Sequence, residues 1–181
     1  QINRMDEFIR EIITYSRNSR QEINPSPIDL SQLANDAWNQ FSYLPGAEEM
    51  KLEMLNHGEY DFSSDIARVR VLINNMISNA IRYRDADKDN NFLKISINKG
   101  PSLVEISFED NGLGIEEQYQ DSVFNMFFRA SDTSDGSGLG LYIVKETLDK
   151  LNGTISLISE LGKGTCFTLS LPNLSELQSI H

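Results

Sequence analysis

The sequence predicts an α+β sandwich, in which a mixed, mostly antiparallel sheet carries helices on one face. Two pairs of segments with alternating apolar and polar residues, each joined by a short turn that contains glycine, are typical of β-hairpins. Amphipathic helical segments lie before and between them, and strands and helices follow one another without a regular βαβ alternation. This mixture favours an α+β fold.

Residues 1–24 are predicted to form a separate helix. The segment from Gln1 to about Glu22 contains neither glycine nor proline. A heptad-like stripe recurs in it at alternating steps of three and four, at Ile2, Met5, Ile9, Ile12 and Ser16. Apolar neighbours widen this stripe, which favours a helix of a bundle. An amphipathic helix packed on its own domain is the open alternative.

Two prolines separate this helix from the rest of the chain. The run Asn24-Pro25-Ser26-Pro27 cannot continue a helix, so residues 25–28 are predicted to be a short, stiff linker. The domain that follows is expected to span residues 29–173, with a tail at residues 174–181.

The first half of this domain is predicted to contain two helices and a strand. The first helix is expected to have Asp29 or Ser31 as its N-cap and to end before Pro45-Gly46. Methionine and leucine alternate with charged residues over residues 50–54, which indicates a strand. A longer helix is predicted over residues 64–82, where apolar residues recur along one face.

The second half is predicted to contain two hairpins and one helix. Residues 93–97 and 104–108 alternate in polarity and form the first hairpin. A helix is expected over residues 139–151, because Asn152-Gly153 follows as a stop signal. Residues 154–159 and 165–171 form the last hairpin.

Charge and composition limit the functions that the chain can have. It carries 16 Lys and Arg against 27 Asp and Glu, and the formal net charge of −11 disfavours binding to nucleic acid. The 39% of hydrophobic residues are typical of a globular protein. No run of about 18 apolar residues and no signal-peptide pattern is present. The single Cys166 excludes an internal disulfide, which is compatible with a reducing compartment. Together, these features predict a cytoplasmic domain that makes no membrane contact of its own.

Two asparagines on the long helix are candidate ligands for a metal. Asn75 and Asn79 are four residues apart, which places both carboxamides on one helix face. A carboxamide oxygen suits a Mg²⁺ ion that also binds phosphate oxygens and water. Arg82 and Tyr83 follow, and they offer a cation for phosphate and a ring for a nucleotide. Taken alone, such a pair more often caps a helix or faces solvent.

A carboxylate followed by glycines comes directly after the predicted strand over residues 104–108. In the run Asp110-Asn111-Gly112-Leu113-Gly114 the carboxylate could bind an exocyclic amino group such as adenine N6, and the glycines would let another molecule approach the backbone. A simple turn between two elements is the alternative. The run is not a dinucleotide-binding fingerprint, because no βαβ unit surrounds it.

A third glycine-rich run opens the predicted helix over residues 139–151. Gly136-Ser137-Gly138-Leu139-Gly140-Leu141 would expose successive N–H groups at a helix N-terminus, where an anion can bind. A flexible loop before a helix is the alternative. The Gly-Lys-Ser/Thr ending of a P-loop is missing.

In their order these motifs resemble the ATP-binding, catalytic region of sensor histidine kinases, in the GHKL superfamily with its Bergerat fold. The resemblance runs from about Asp29 to Pro172. Each block is weak alone, but five blocks in the family's order are specific. They are the N box at Asn75–Tyr83, the G1 box at Asp110–Gly114, the F box at Phe124–Arg129, the G2 box at Gly136–Leu141 and a G3 region at Gly162–Phe167.

The resemblance implies a role for each matching residue. Asp110 would bind the adenine amino group and Asn79 would ligate Mg²⁺. Asn75 would support the metal and the phosphates, and Arg82 and Arg129 would approach the phosphates, which makes these three the expected catalytic positions. The other residues implied to line or wrap the nucleotide are Tyr83, Gly112, Gly114, Ile115, Phe128, Gly136, Gly138, Leu139, Gly140, Leu141 and Thr165.

The resemblance also implies a mobile ATP lid that begins after Arg129. It is short, and its two aspartates, Asp132 and Asp135, add nothing to phosphate affinity. The base of the lid would be anchored on apolar surface by Phe124, Phe127 and Phe128.

The function implied by the resemblance is transfer of the γ-phosphoryl group of Mg-ATP to a histidine, and from there to an aspartate of a response-regulator receiver domain. Residues 1–24 resemble the second helix of the bundle through which such kinases form homodimers. The first bundle helix, with a phosphoacceptor histidine beside an acidic residue, is not in this sequence. His57 and His181 have no acidic neighbour and are not expected to accept the phosphoryl group.

Three other functions use the same fold. The ATP-hydrolysing members of the superfamily carry a glutamate one turn before the metal-binding asparagine to activate water. Here that position is Asn75, which cannot accept a proton at neutral pH. An anti-sigma-like serine kinase is disfavoured by the bundle-like helix and the proline linker. A non-catalytic nucleotide sensor is disfavoured by the intact set of polar ligands.

Overall fold

A five-stranded sheet with helices packed on one face forms the body of the protein. The computed structural model describes residues 9, 12, 13, 16, 21–129 and 137–175. Most of the helix predicted over residues 1–24 therefore lies outside the described residues, as do Gly136, His181 and most of the predicted tail. Positions 9, 12, 13 and 16 have helical backbone.

From residue 21 onward, the strands and α-helices follow in the order predicted, with two additional short strands. In chain order they are β1 (Pro25–Pro27), α1 (Leu30–Phe41), β2 (Lys51–His57), β3 (Ser63–Asp65), α2 (Ile66–Arg82), β4 (Phe92–Lys99), β5 (Leu103–Asp110), α3 (Gly140–Lys150), β6 (Thr154–Glu160) and β7 (Gly164–Pro172).

The main sheet has the strand order β2-β4-β5-β7-β6. Strands β2 and β4 are parallel, and all other neighbouring strands in this sheet are antiparallel. The two predicted hairpins, β4–β5 and β6–β7, are therefore confirmed, and β5 pairs with β7 in the centre. The predicted α+β class, with a mixed, mostly antiparallel sheet, is also confirmed.

The core lies between this sheet and the helices. Helix α2 is central and packs on α1 on one side and on α3 on the other. Its apolar face is almost completely buried, at Val69, Leu72, Ile73, Met76 and Ile77. Inward-facing strand residues complete the core, among them Leu93, Ile95, Ile97, Val104, Ile106, Phe108, Leu169 and Leu171. Because one face of α2 is locked in this core, its opposite polar face has a fixed position. Among the described residues, no helix combines the length and apolarity needed to cross a membrane.

The segment predicted as a linker is a strand in the structure. Strand β1 pairs antiparallel with β3, and Ile28 donates a hydrogen bond from its backbone N–H to the carbonyl of Phe62 at 2.8 Å. Proline and the residue before it favour extended backbone, and the missing N–H groups of the two prolines are tolerated in a short edge strand. The chain therefore enters the domain along a short, paired strand.

The start of α2 also differs from the prediction, because β3 occupies the residues before Ile66. Asp65 is the N-cap, and one carboxylate oxygen accepts a hydrogen bond from the Arg68 N–H at 3.0 Å. The other oxygen lies 2.5 Å from Arg68 Nη1 and accepts from the Asn24 N–H at 3.1 Å. Arg68 also donates to the carbonyls of Gln21 and Glu22. Burial alone would raise the pKa of Asp65, but the hydrogen bonds from Arg68 and Asn24 and the charge of Arg68 outweigh it and lower that pKa.

Candidate functional site

A cavity of about 150 Å³ opens between α2, the turn after β5 and the segment over residues 115–129. Most of its wall is apolar and includes Met76, Phe108, Ile115, Val123, Phe128, Leu141 and Phe167. The polar side chains in this wall are few, and they include Asn79, Asp110, Arg129 and Thr165. A flat apolar group with one or two polar atoms would match this lining.

A smaller and more polar cavity of about 50 Å³ adjoins the first one. The two share Asn79, Tyr83, Val123, Phe128 and Leu141. The smaller cavity adds Asn75, Ser78, Arg82, Ser137, Gly138 and Gly140, which are polar residues of α2 and the residues around the start of α3. An apolar compartment and a polar compartment are thus continuous along the exposed edge of α2.

Asp110 is a partly buried carboxylate in the wall of the apolar compartment. It is the last residue of β5, its cross-strand partner is Thr165, and its carboxylate accepts a hydrogen bond from the Gly112 N–H at 2.8 Å. Burial raises the pKa of Asp110 to about 6, although hydrogen bonds from Gly112 and Thr165 and the charge of Lys88 act in the opposite direction. The carboxylate can accept further hydrogen bonds, and the mostly apolar wall around it leaves few other polar groups to compete for a donor.

The glycines after Asp110 are required by the protein's own backbone. A Cβ atom on Gly112 would lie 2.3 Å from the Tyr83 carbonyl oxygen, and one on Gly114 would lie 2.0 Å from the Glu160 carbonyl oxygen. Gly114 also has a positive φ of 70°. The sequence predicts that these glycines let another molecule approach the backbone. In the structure they instead let the turn after β5 pack against the end of α2 and the end of β6.

The two asparagines of α2 face the start of α3. Asn75 donates from Nδ2 to the Val71 carbonyl at 2.8 Å, which leaves Oδ1 for other partners. A Cβ atom on Gly140 would lie 2.9 Å from Asn75 Oδ1 and 3.8 Å from Asn79 Oδ1. Glycine at position 140 therefore keeps a small space open beside both amide oxygens. The asparagines are half-buried in this space, so they neither cap α2 nor face open solvent.

Helix α3 begins beside this space without a side-chain cap among the described residues. Leu139 is its N-cap residue, and its N–H donates to Ser137 Oγ at 3.1 Å. The N–H groups of the first turn of a helix lack intrahelical partners and carry a partial positive charge, so they can bind an anion. Gly136, the first residue of the predicted glycine-rich run, lies outside the described residues.

The three predicted aromatic anchors act in two ways. The ring of Phe124 packs edge-on against Phe167 at a centroid distance of 6.3 Å, and that of Phe128 packs against Tyr119 at 5.8 Å. Phe127 differs from the prediction, because its side chain is 54% exposed. Its backbone has a positive φ of 64° and donates from N–H to the Gly138 carbonyl at 3.0 Å. At the base of the predicted lid, the Phe127 backbone therefore joins this segment to Gly138 through a hydrogen bond.

Most of the predicted site residues lie in the walls of the two cavities. These are Asn75, Asn79, Arg82, Tyr83, Asp110, Gly114, Ile115, Phe128, Arg129, Gly138, Gly140, Leu141 and Thr165. Gly112 and Leu139 are not in the walls and instead shape the two turns beside them.

Sequence reasoning missed most of the apolar wall, including Met76, Phe108, Tyr119, Val123, Leu161 and Phe167. A signal for part of it was available. Residues two apart on a strand share a face, so Phe108 had to lie on the same side of the sheet as Asp110. Phe167 is the cross-strand partner of Phe108 and could have been included in the same way.

An apolar compartment with one partly buried carboxylate, joined to a polar compartment at a helix N-terminus, has the chemistry of a nucleotide-binding site. Comparison with known proteins agrees. Residues 64–175 match the family model described as histidine kinase-, DNA gyrase B-, and HSP90-like ATPase. The chain belongs to this family of ATP-binding domains.

Individual relatives cover nearly the whole chain. The sensor-like histidine kinase SenX3 of Mycolicibacterium smegmatis is 31% identical over 183 aligned residues, which are 98% of this chain and 47% of that protein. The crystal structure of full-length ShkA in complex with AMPPNP gives a TM-score of 0.77 at 20% identity, covering 91% of this chain and 35% of ShkA. For the Acinetobacter baumannii histidine kinase AdeS the TM-score is 0.75 at 23% identity, covering 95% and 80%. The two structures share the fold, and the chain spans about half the length of SenX3.

Asp110→Asn is expected to stabilise the ligand-free protein at alkaline pH. The pKa of Asp110 is about 6 in the folded state against an ordinary 3.8, so ionisation costs more in the folded than in the unfolded state. A neutral amide removes that cost, which is at most about 3 kcal/mol. The gain should be full above about pH 6 and vanish below pH 3.8, where the carboxyl is protonated in both states.

Urea unfolding of Asp110→Asn at several pH values measures this effect. The matched control is Asp121→Asn, because Asp121 is exposed and should give no pH-dependent gain. A lower free energy of unfolding for Asp110→Asn than for the wild type at about pH 8 would contradict the account in which burial opposes ionisation of this carboxylate.

Proposed function

We propose that this chain is the ATP-binding, catalytic region of a sensor histidine kinase, which transfers the γ-phosphoryl group of ATP to a histidine on a helix of a dimerisation bundle. The observation that carries the proposal is the pairing of two compartments. The partly buried carboxylate of Asp110 lies in the apolar one, and the amides of α2 face, in the polar one, the start of α3, which has no side-chain cap among the described residues.

Adenine would occupy the apolar compartment. The carboxylate of Asp110 would accept a hydrogen bond from the N6 amino group, and the apolar wall would contact the faces of the ring. Guanine carries a carbonyl oxygen at the equivalent position, which a carboxylate repels. Because the compartment is largely apolar and its other described carboxylate, that of Glu116, is exposed, the Asp110 carboxylate would decide which base binds.

The phosphates would occupy the polar compartment. The N–H groups at the start of α3 and the guanidinium of Arg82 would hold phosphate oxygens, and Arg129 would reach the terminal phosphate. The amide oxygens near Gly140 have the donor chemistry that Mg²⁺ prefers, and Asn79 lines both cavities, so Asn79 is the proposed ligand. A bound Mg²⁺ would neutralise charge on the transferred group.

The described site residues favour transfer to another group over hydrolysis. Asn75 occupies the position of the base in the hydrolysing members of the superfamily, and an amide does not take a proton from water. What the chain contributes is positioning and charge neutralisation, so an acceptor must be presented to it by another helix.

His57 is poorly placed to be that acceptor. It is exposed and pairs with Asn98 at one end of β4, whereas Asp110 pairs with Leu93 near the other end. At roughly 3.3 Å per residue the two positions on β4 are about 16 Å apart. His181 lies outside the described residues.

The proposed partners follow from the same assignment. SenX3 is named a sensor-like histidine kinase, and its similarity covers 98% of this chain. We therefore propose a cytoplasmic catalytic domain of a longer protein, which forms a homodimer through the full helical bundle and passes the phosphoryl group to a response-regulator receiver domain. Residues 1–24 are proposed as the helix that joins the bundle to the domain.

Asn79→Ala is expected to remove most of the increase in ATP affinity that Mg²⁺ brings, while adenosine binding stays nearly unchanged. The reason is that Asn79 would contact the metal and not the base. Calorimetric titrations of ATP with and without Mg²⁺, and of adenosine, measure both effects. The control is Asn35→Ala on the exposed face of α1. If Asn79→Ala gains as much affinity from Mg²⁺ as the wild type does, the metal assignment is wrong.

The kinase assignment is tested by phosphoryl transfer to an added helix. Incubated alone with γ-labelled ATP, the chain should bind the nucleotide, hydrolyse it very slowly and incorporate no acid-labile phosphate, because no acceptor is held next to it. Addition of the bundle helix of the full-length protein, which is expected to carry a histidine beside an acidic residue, should produce an acid-labile label on that helix.

The control is the same helix with that histidine replaced by glutamine, which should stay unlabelled. Rapid ATP turnover without any acceptor would instead favour the hydrolase function, and stable labelling of serine would favour the serine kinase.

A further inference from the structure

Lys88 lies in a rigid loop between α2 and β4, outside the walls of both cavities. The backbone N–H of Lys88 donates to the Asp85 carbonyl at 3.1 Å. The buried side chain of Asn91 donates from Nδ2 to the carbonyls of Asp85 and Lys88, both at 2.9 Å. These hydrogen bonds join residues within the same short loop. They therefore fix the backbone from which the Lys88 side chain extends.

The Lys88 ammonium connects two turns that are far apart in sequence. It donates to the carbonyl of Asn111 at 2.7 Å and to the carbonyl of Gly162 at 2.9 Å, and the carbonyl of Gly112 lies at 3.5 Å. The carboxylate of Asp85 lies 3.6 Å away. An ammonium group has three donors, and here the short contacts go to backbone carbonyls of the turn after β5 and of the β6–β7 turn.

These two turns also pack directly against each other. The Gly162 N–H donates to the Leu113 carbonyl at 2.7 Å. A Cβ atom on Gly164 would lie 2.0 Å from the Asp110 carbonyl oxygen. The carbonyls that accept from Lys88 thus belong to two turns whose backbones are in close contact. Because of this contact, the position of Asp110 depends on the position of the β6–β7 turn.

Lys88 is also the cation that acts on the Asp110 carboxylate. Among the described residues, the titratable groups that act on this carboxylate include Lys88 in the loop and Glu109 on β5, and the carboxylate acts in turn on Cys166 of β7. The other titratable residues in the wall of the same cavity are Tyr83, Glu116, Tyr119 and Arg129. The charge of Lys88 lowers the pKa of Asp110, whereas burial and the charge of Glu109 raise it. Loss of the ammonium would therefore both loosen the turn and favour the protonated form of Asp110.

We propose that Lys88 is a positioning residue for base recognition, because its ammonium fastens the turn that carries Asp110 to the β6–β7 turn. The inference rests on the proposed function, in which the base bound by Asp110 is adenine. Lys88 itself would not touch the nucleotide.

The test compares Lys88→Met with the wild type in two measurements. The first is an NMR titration of the Asp110 carboxyl carbon in the ligand-free protein. The second is calorimetric binding of ATP and of adenosine, which carries no titrating phosphate, at about pH 6 and about pH 8. Lys88→Met should titrate Asp110 at higher pH than the wild type does. It should bind both ligands about threefold to tenfold more weakly at the higher pH, with a larger loss at the lower pH.

The matched control is Lys163→Met, which removes a lysine from the β6–β7 turn itself. Lys163 is 72% exposed and pairs with Glu160, so its loss should leave the Asp110 titration and both affinities unchanged. Lys88→Gln, which removes the charge but keeps one hydrogen-bond donor, replaces Lys88→Met if the latter fails to fold and carries the same expectation for the titration.

The outcomes separate the two claims. A folded Lys88→Met or Lys88→Gln that titrates Asp110 and binds adenosine as the wild type does would overturn the role of Lys88. A wild-type protein that binds neither ATP nor adenosine would overturn the proposed function, and the Asp110 titration would still decide whether Lys88 positions this turn.

Discussion

The ionised carboxylate of Asp110, partly buried at the end of β5, is the constraint on which the candidate site depends. Burial opposes its charge and raises its pKa to about 6. The surrounding structure compensates in part with the N–H groups of Gly112 and Thr165 and with the charge of Lys88. The turn after β5 packs against the β6–β7 turn, and this packing requires glycine at Gly114 and Gly164, whereas Gly112 makes room for the Tyr83 carbonyl. Because its pKa is raised, ionisation of Asp110 lowers the free energy of unfolding. Such a loss is expected where a charged hydrogen-bond acceptor is kept in an apolar compartment.

Helix α2 connects this constraint to the rest of the fold. Its buried face is part of the core, and its polar face lines both cavities. Asn79 belongs to both compartments, so the base and the phosphates of one nucleotide would be read from the same rigid helix. Asp65 and Arg68 hold the start of α2 against the chain that enters the domain, at Gln21 to Asn24. The entry of the chain and the nucleotide site are therefore attached to the two ends of a single element.

Local patterns in the sequence predicted the main elements, because alternation and amphipathicity are decided by nearby residues. The three helices predicted from residue 29 onward, both hairpins and the strand with Leu52 and Met54 are present, whereas Met50 lies just before that strand. The helix predicted over residues 1–24 lies mostly outside the described residues. The pairing of β1 with β3 was missed, since it joins segments about 40 residues apart that are too short to show a period. The polar residues of the site were found through their motifs, whereas the apolar wall resembles any other core in sequence. Lys88 could not be found at all, because its partners are backbone carbonyls, which no side-chain pattern reveals.

The central claim is that the Asp110 carboxylate selects the base, and calorimetric titration of ATP and GTP tests it most directly. Because a hydrogen bond to a charged acceptor contributes roughly 1.5–3 kcal/mol, Asp110→Ala should bind ATP about tenfold to a hundredfold more weakly and lose most of its preference for ATP over GTP. Asp121→Ala, an exposed aspartate after the same turn, should bind both nucleotides as the wild type does. A folded Asp110→Ala protein with the wild-type ATP affinity and the wild-type preference would contradict the account.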